Sequence, residues 1–393
     1  MYDVIVSGAG PAGSSAALGC ARAGLQTLLL EKNPLPRRKC CAGGVLGRAL
    51  GRAGLEIPDE IIERKINGFT VVRNDFRLEV PFDRPAGITV NRRAFDAFLT
   101  RSAANAGAEL RDDTPVKKVN ESQSYVEVIT DEGMHRCRTF VIAEGAASRS
   151  ARQVLGPYVP NGLALGLASE IKLDSSPGDS IEIHLMETPV PKLRWGATFP
   201  LNGWFFPLKH GANIGVVGRG TSADLLKERV RGIAACAFEA MGGNMEDLHI
   251  CSAPLPMVPR KIVCSGRCLA VGDSAGFVNQ ITGEGMSYAI ESGHLAAKAV
   301  EQALSIGDIR KLGLYQRWCE DRIIPDLRAT ILISPLLHWL VGVVNTERFF
   351  EVFSDDDELV STCLQIARGE ATWTRLFRQT IRKFPKLFFS SLV

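Results

Sequence analysis

The sequence predicts an α/β fold: a Rossmann-type nucleotide-binding domain with an inserted β-sheet domain and a C-terminal helical region. Three observations carry this. A βαβ pattern opens the chain around Gly8-Ala9-Gly10-Pro11-Ala12-Gly13. A second glycine-rich stretch, Gly272-Asp273-Ser274-Ala275-Gly276 running into Thr282-Gly283-Glu284-Gly285, follows about 260 residues later. Strand patterns with turn punctuation fill the region from about 160 to 258. The implied partition is 1–65, 90–158 and 259–305 for the nucleotide domain, 66–89 and 159–258 for a β-rich substrate-binding domain, and 306–393 for the helical region.

In chain order, Tyr2 to Ser7 is a short apolar run rich in Val and Ile, and the glycine loop leads into a small-residue helix ending near Gly24. Gly8 permits the tight turn, Gly10 lets backbone approach a pyrophosphate, and Gly13 lets helix and strand pack closely, with Ala12 beside it. The helix N-terminus then offers unpaired N–H groups and a positive dipole end to phosphates. A second strand, Thr27 to Leu30, ends in Glu31, placed to accept hydrogen bonds from an adenosine ribose.

Alternating segments between 65 and 90 predict sheet, Asn91 to Ala106 predicts helix, and 115 to 143 reads as a β meander leading to Glu144-Gly145. The chain returns to the nucleotide fold at Cys268 to Val271. After Gly285, the residues Met286, Ala289, Ile290, Gly293, Ala296, Ala297 and Val300 follow helical spacing, so a buried helix starts at the Gly-Glu-Gly turn. This second signature fits a flavin nucleotide, FAD. From 305 onward the pattern is helical, with an acidic loop at Asp355-Asp356-Asp357. Residues 371 to 384 form an amphipathic helix, with Trp373, Leu376, Phe377, Ile381 and Phe384 opposite Arg375, Arg378, Arg382 and Lys383, that Pro385 is expected to end.

The totals exclude several classes. With 46 basic and 43 acidic residues the net charge of +3 does not argue for nucleic acid. Ten cysteines at irregular positions read as reduced cytosolic thiols; Cys264 and Cys268 lack a second ligand pair for zinc. The longest apolar stretch, Ile331 to Val344, is broken by Pro335 and His338 and falls short of the roughly 20 residues a span needs. The expected location is cytoplasmic, with residues 371–389 able to lie on the inner face of the cell membrane.

The order of GAGPAG with Glu31, Ala143-Glu144-Gly145 with Arg152, and the GDSAG to GEG stretch resembles the FAD enzymes built like aromatic hydroxylases. Within that group, Lys39-Cys40-Cys41-Ala42-Gly43-Gly44, Val90-Asn91-Arg92-Arg93-Ala94-Phe95-Asp96 and Trp204-Phe205-Phe206-Pro207 resemble the geranylgeranyl reductase family, particularly its archaeal digeranylgeranyl-lipid branch. That resemblance implies FAD, a polyprenyl lipid substrate, an electron donor such as NAD(P)H or ferredoxin, and saturation of isolated C=C bonds. It further implies that Arg92, Glu144, Gly272, Asp273, Gly283, Glu284 and Gly285 join Gly8, Gly10, Ala12, Gly13 and Glu31 around the cofactor. Cys41 would lie at the reacting face, and Gly43, Gly44, Trp204, Phe206 and Pro207 along the substrate.

Two positions depart from the pattern: Glu144 stands where Asp is usual, and Asn202 where the family carries Tyr. By residue type alone, Cys40 and Cys41 read as small packing residues in a glycine turn, and only the family resemblance brings Cys41, not Cys40, to the chemistry; Trp204 to Phe206 are equally well core. A thiol in apolar surroundings stays protonated, which suits Cys41 as a proton donor. The competing readings are an FAD monooxygenase or halogenase of a small aromatic, although WFFP lacks the second Trp of a halogenase motif, and a non-catalytic flavoprotein electron carrier.

Overall fold

The computed structural model describes residues 1–186, 199–343 and 346–391. Its first sheet has a parallel centre, in the order Cys268–Ala270, Gly133–Ile142, Tyr2–Ser7, Thr27–Leu30, Glu109–Arg111. The antiparallel strands Val126–Thr130 and Lys118–Glu121 extend off Gly133–Ile142. Val4 to Val6, Leu28, Leu29 and Phe140 to Ile142 are fully buried. Such uninterrupted apolar runs are what a parallel strand requires when helices cover both of its faces.

Two helices cover one part of this sheet, Pro11–Arg22 and Met286–Ile306. They touch through small residues: a Cβ added at Gly19 would lie 2.6 Å from Ala297 Cβ, and one at Gly293 would lie 2.3 Å from the Ala12 carbonyl oxygen. Nothing larger than glycine fits these crossings without moving backbone.

A second sheet of seven strands runs in the order Cys251–Pro256, Leu163–Lys172, Gly211–Arg219, Phe199–Leu208, Ser180–Met186, Gly68–Arg73, Phe76–Pro81. All its pairings are antiparallel except that of Ser180–Met186 with Gly68–Arg73. One face is closed by the helix Ala223–Met241, whose Leu226, Val230, Ile233 and Ala234 pack with Phe205, Ile214 and Val216. Because side chains alternate along a strand, the neighbours Trp204 and Phe206 point to the opposite face. A small sheet of Gly44–Leu46, Gly87–Val90 and Ile62–Ile66 lies between the two larger ones in sequence and pairs only within itself.

The chain then forms helices Gly313–Arg322, Ile324–Val343, Thr346–Ser354, Asp357–Arg368 and Trp373–Ser390. The last three share a core of Phe349, Val352, Leu359, Ile366, Leu376 and Leu387. Two readings of this region change. Pro385 lies inside the helix Trp373–Ser390 instead of ending it. A mid-helix proline costs about 3 kcal/mol, but burial of Leu387 and stacking of Phe388 on Phe384 at 5.7 Å hold the last turns in place. Ile381 is 50% exposed and does not join the buried stripe. Asp355 and Asp356 form the expected acidic connection, and it is engaged in folding: the Asp356 carboxylate accepts from Leu359 N at 3.2 Å, capping the helix it precedes, and pairs with Lys383. None of the helices among the described residues is long and apolar enough to cross a membrane.

Removing this cap tests the packing of the helical region. Asp356→Ala is expected to lower stability by about 1–2 kcal/mol, read as a lower denaturant midpoint with an unchanged far-UV spectrum.

Candidate active site

A cavity of about 1120 Å³ runs from the first glycine loop, past the Cys41 loop, to the C-terminal helices. At its start Gly8 has φ +105°, and a Cβ there would lie 2.2 Å from the Ala143 carbonyl oxygen. Gly10 begins the Pro11–Arg22 helix with no side-chain cap, so the first-turn N–H groups are left for a ligand. Gly13 does not line the cavity; its hydrogen stands where a Cβ would be 1.8 Å from the Gly8 carbonyl oxygen, so it sets the closeness of loop and helix. Gly272 acts in the same way, with φ +55° and an imagined Cβ 2.9 Å from Ala12 Cβ.

Glu31 is nearly buried and accepts from Ala9 N at 3.0 Å and Asn33 N at 3.2 Å. Arg37 joins it at 3.3 Å and reaches Asp96 at 3.1 Å. Asp96, 1% exposed, also receives Arg92 through Nε at 2.8 Å and Nη2 at 2.9 Å. The result is an alternating chain, Glu31, Arg37, Asp96, Arg92, along one wall of the cavity. Burial alone would lower the pKa of Arg92, but Asp96 and then the Cys41 thiol more than offset it and hold the guanidinium charged. Sequence reading missed Arg37 and the part Asp96 plays; the i,i+4 spacing of Arg92 and Asp96 on the helix Arg92–Asn105 was the available signal.

Cys41 lines the cavity, and its carbonyl accepts from Asn213 Nδ2 at 2.9 Å, while Asn213 Oδ1 accepts from Trp204 Nε1 at 3.0 Å. Trp204, Asn213 and Cys41 are thus tied in register, and Asn213 was not among the expected residues. Gly44 makes room for Phe206, whose Cε2 would lie 2.5 Å from an added Cβ. Gly43, at φ +78°, shapes the turn and does not face the cavity. Pro207 is also displaced from expectation: strand alternation puts it on the Phe205 side, where its carbonyl accepts from Thr89 Oγ1 at 2.7 Å.

Opposite, Asp273, Gly283, Glu284 and Gly285 line the cavity. Burial pushes the Asp273 carboxyl up, against the lowering effect of Lys39 and Arg92. Glu284 turns back on its own helix: Oε1 accepts from Ser287 N at 2.6 Å, placing a carboxylate over the N-terminus of Met286–Ile306. The Glu144 carboxylate accepts from Ser7 Oγ, Ser148 Oγ and Ser150 N, and so knots together the ends of two strands and a helix. Arg149, not Arg152, reaches the cavity from that helix.

The far end is apolar. Ile181, Ile183 and Leu185 from one strand meet Phe349, Phe353, Leu364, Trp373 and Leu376 from the C-terminal helices. Sequence reading placed no site residue beyond Gly285 and missed this contribution. Asn202 also faces the cavity, with Nδ2 3.5 Å from the Ile281 carbonyl and a buried Oδ1 that has no partner among the described residues.

The uncapped helix N-terminus, the close glycine loop and the nearly buried Glu31 fit a dinucleotide cofactor. The family model for FAD dependent oxidoreductases matches residues 3–146. The chain is 26% identical over 98% of its length to digeranylgeranylglycerophospholipid reductase 1 of Methanothermobacter thermautotrophicus, covering 96% of that protein. It is 32% identical over 76% of its length to menaquinone reductase of Mycobacterium tuberculosis, covering 76% of that protein. The chain belongs to the geranylgeranyl reductase family. A solved geranylgeranyl bacteriochlorophyll reductase-like protein from Thermoplasma acidophilum superimposes with a TM-score of 0.75 at 21% identity, covering 98% of this chain and 97% of the other, which shows the shared fold. As a member of this family the protein is an FAD-dependent oxidoreductase, and FAD is its cofactor.

Two substitutions test the cofactor end. Gly13→Ala, which forces a Cβ onto the Gly8 carbonyl, is expected to yield protein without flavin absorbance. Asp96→Asn, which removes the carboxylate shared by Arg37 and Arg92, is expected to weaken FAD retention by about tenfold, corresponding to about 1.4 kcal/mol, measured as FAD release during dilution.

Proposed function

We propose that this protein saturates isolated C=C bonds of a geranylgeranyl lipid. The observation that carries the reading is the continuity of the cavity from Cys41 and Arg92 into an apolar end lined by Ile181, Ile183, Phe349, Phe353 and Trp373. That shape suits an extended hydrocarbon whose double bonds must reach one reacting point. The names of the archaeal and mycobacterial relatives support a prenylated lipid substrate.

Bound FAD, once reduced by a donor such as NAD(P)H or ferredoxin, supplies the hydride. The chain supplies the rest. An unpolarised alkene needs water excluded and a proton delivered to the second carbon. Trp204, Phe206 and the C-terminal helices enclose the hydrocarbon. Cys41 Sγ, beside the Arg92 guanidinium, delivers the proton to the second carbon, and Asp96 fixes Arg92 in place. Peripheral membrane association fits the same substrate: Ile381 and Phe389, 50% and 66% exposed, project from the last helix beside the exposed Arg378 and Lys386.

The test is anaerobic. The bound flavin is reduced, candidate prenyl lipids are added in detergent, and flavin reoxidation is followed together with the gain of two hydrogens per bond in the lipid. Lipid-dependent reoxidation with stepwise hydrogen gain is expected; oxygen-dependent turnover of an aromatic without any lipid product would overturn the reading. Cys41→Ala is expected to slow lipid-dependent reoxidation by about 10²–10⁴-fold while flavin content stays unchanged.

A further inference from the structure

Arg48 lines the same cavity and takes no part in the chemistry above. It belongs to the helix Gly47–Ala53, which follows the strand Gly44–Leu46. A Cβ added at Gly369 would lie 2.6 Å from Arg48 Cβ, and one at Gly47 would lie 3.2 Å from Arg368 Cα, so the turn that ends Asp357–Arg368 rests on this short helix. Ile366 and Ala367, just before that turn, line the cavity as well. Arg48 therefore stands where the C-terminal helices meet the segment that carries Cys41.

Its guanidinium is buried and incompletely used. Arg48 is 5% exposed; Nη1 donates to the Tyr288 hydroxyl at 3.1 Å, Cζ lies 4.6 Å from the Tyr288 ring centroid, and Nη2 lies 3.6 Å from Asp326. Nε, also buried, has no partner among the described residues. An arginine brings five N–H donors, and a buried donor left unmet is costly, so a cation set in this way on a cavity wall is matched to an acceptor that arrives with a ligand. The surroundings also select the charge of that acceptor. Burial opposes the charge of Arg48, and Tyr288, Glu284, Asp326 and Glu291 outweigh it. With carboxylates already around the guanidinium, a phosphate would be repelled, whereas a neutral oxygen would not.

We infer that Arg48 is a substrate-binding residue that donates a hydrogen bond to a neutral oxygen, carbonyl or ether, at the head of the prenyl lipid. This rests on the lipid substrate proposed above and adds the feature that sets how far the chain slides along the cavity. An apolar wall holds a hydrocarbon without a fixed register, and one placed polar group supplies it. A lipid anchored at Arg48 presents the same double bond to Cys41 each time; a bare hydrocarbon does not.

Binding is measured on the full-length, FAD-loaded, oxidised protein in detergent by intrinsic tryptophan fluorescence, since Trp204 and Trp373 line the cavity. The probes are menaquinone, digeranylgeranylglycerol diether, and squalene, an oxygen-free chain with isolated C=C bonds. Arg48→Lys keeps a charge for Asp326 but removes the planar set of donors; Arg48→Met removes both. Flavin content reports whether each variant folds, and Arg48→Lys carries the test if Arg48→Met does not. The variants are expected to bind menaquinone, the diether or both about tenfold more weakly, with squalene binding unchanged. The lipid that weakens identifies the oxygen as carbonyl or ether. Equal weakening of all three lipids, as a purely structural role would give, or no weakening of either oxygen-bearing lipid, would overturn the inference. Because no turnover is needed, binding through Arg48 without reduction of the lipid would count against the proposed reaction alone.

Discussion

The site depends on how closely the helix Pro11–Arg22 lies against its neighbours. Gly13 meets the Gly8 carbonyl, Gly19 meets Ala297, and Ala12 meets both Gly272 and Gly293, each at a separation that a single added carbon would violate. These contacts bring two loops about 260 residues apart in sequence to one cavity. Interiors are packed too densely to absorb a methylene at such points. The result is a helix N-terminus held next to the loop that precedes Met286–Ile306.

A chain of buried charges then carries order along the cavity wall. Isolated charges would be too costly to bury, and here Glu31 and Asp96 alternate with Arg37 and Arg92, each sign flanked by the other. Arg92 can remain charged inside the protein because Asp96 grips it with both oxygens. Glu31 at one end accepts from the backbone of the first glycine loop, and Arg92 at the other lies beside Cys41. One network therefore joins the first glycine loop to the Cys41 loop.

The apolar half of the cavity has a different origin. The large sheet buries Phe205, Ile214 and Val216 under a helix, and alternation turns Trp204, Phe206 and Val217 to the cavity side. Three C-terminal helices close the far end, and their own core is stable enough to keep Pro385 within a continuous helix. Asp356 and Glu358 meanwhile engage Lys383 and Arg382, so part of the basic face of the last helix is spent on folding. Ile381, Phe389 and Arg378 remain outward, and Lys386, also exposed, reaches Asp356 at 3.9 Å.

The amino-acid sequence alone determined the α/β class and the FAD cofactor, and it singled out Gly8, Gly10, Glu31 and Gly283 to Gly285, which the structure brings to one cavity. Those features are local: a turn needing positive φ, a helix start, a run of apolar residues. It also carried the resemblance to the family. Only the tertiary structure decided that Arg37 and Asp96 complete the charge chain, that Glu284 and Glu144 are engaged by backbone and serine groups, that Pro207 faces away from the cavity, and that Phe349, Phe353 and Trp373 close it. These facts arise from contacts between segments as far apart as residues 41, 213 and 373. No local pattern records such a contact, because it is selected by how sheets and helices pack together.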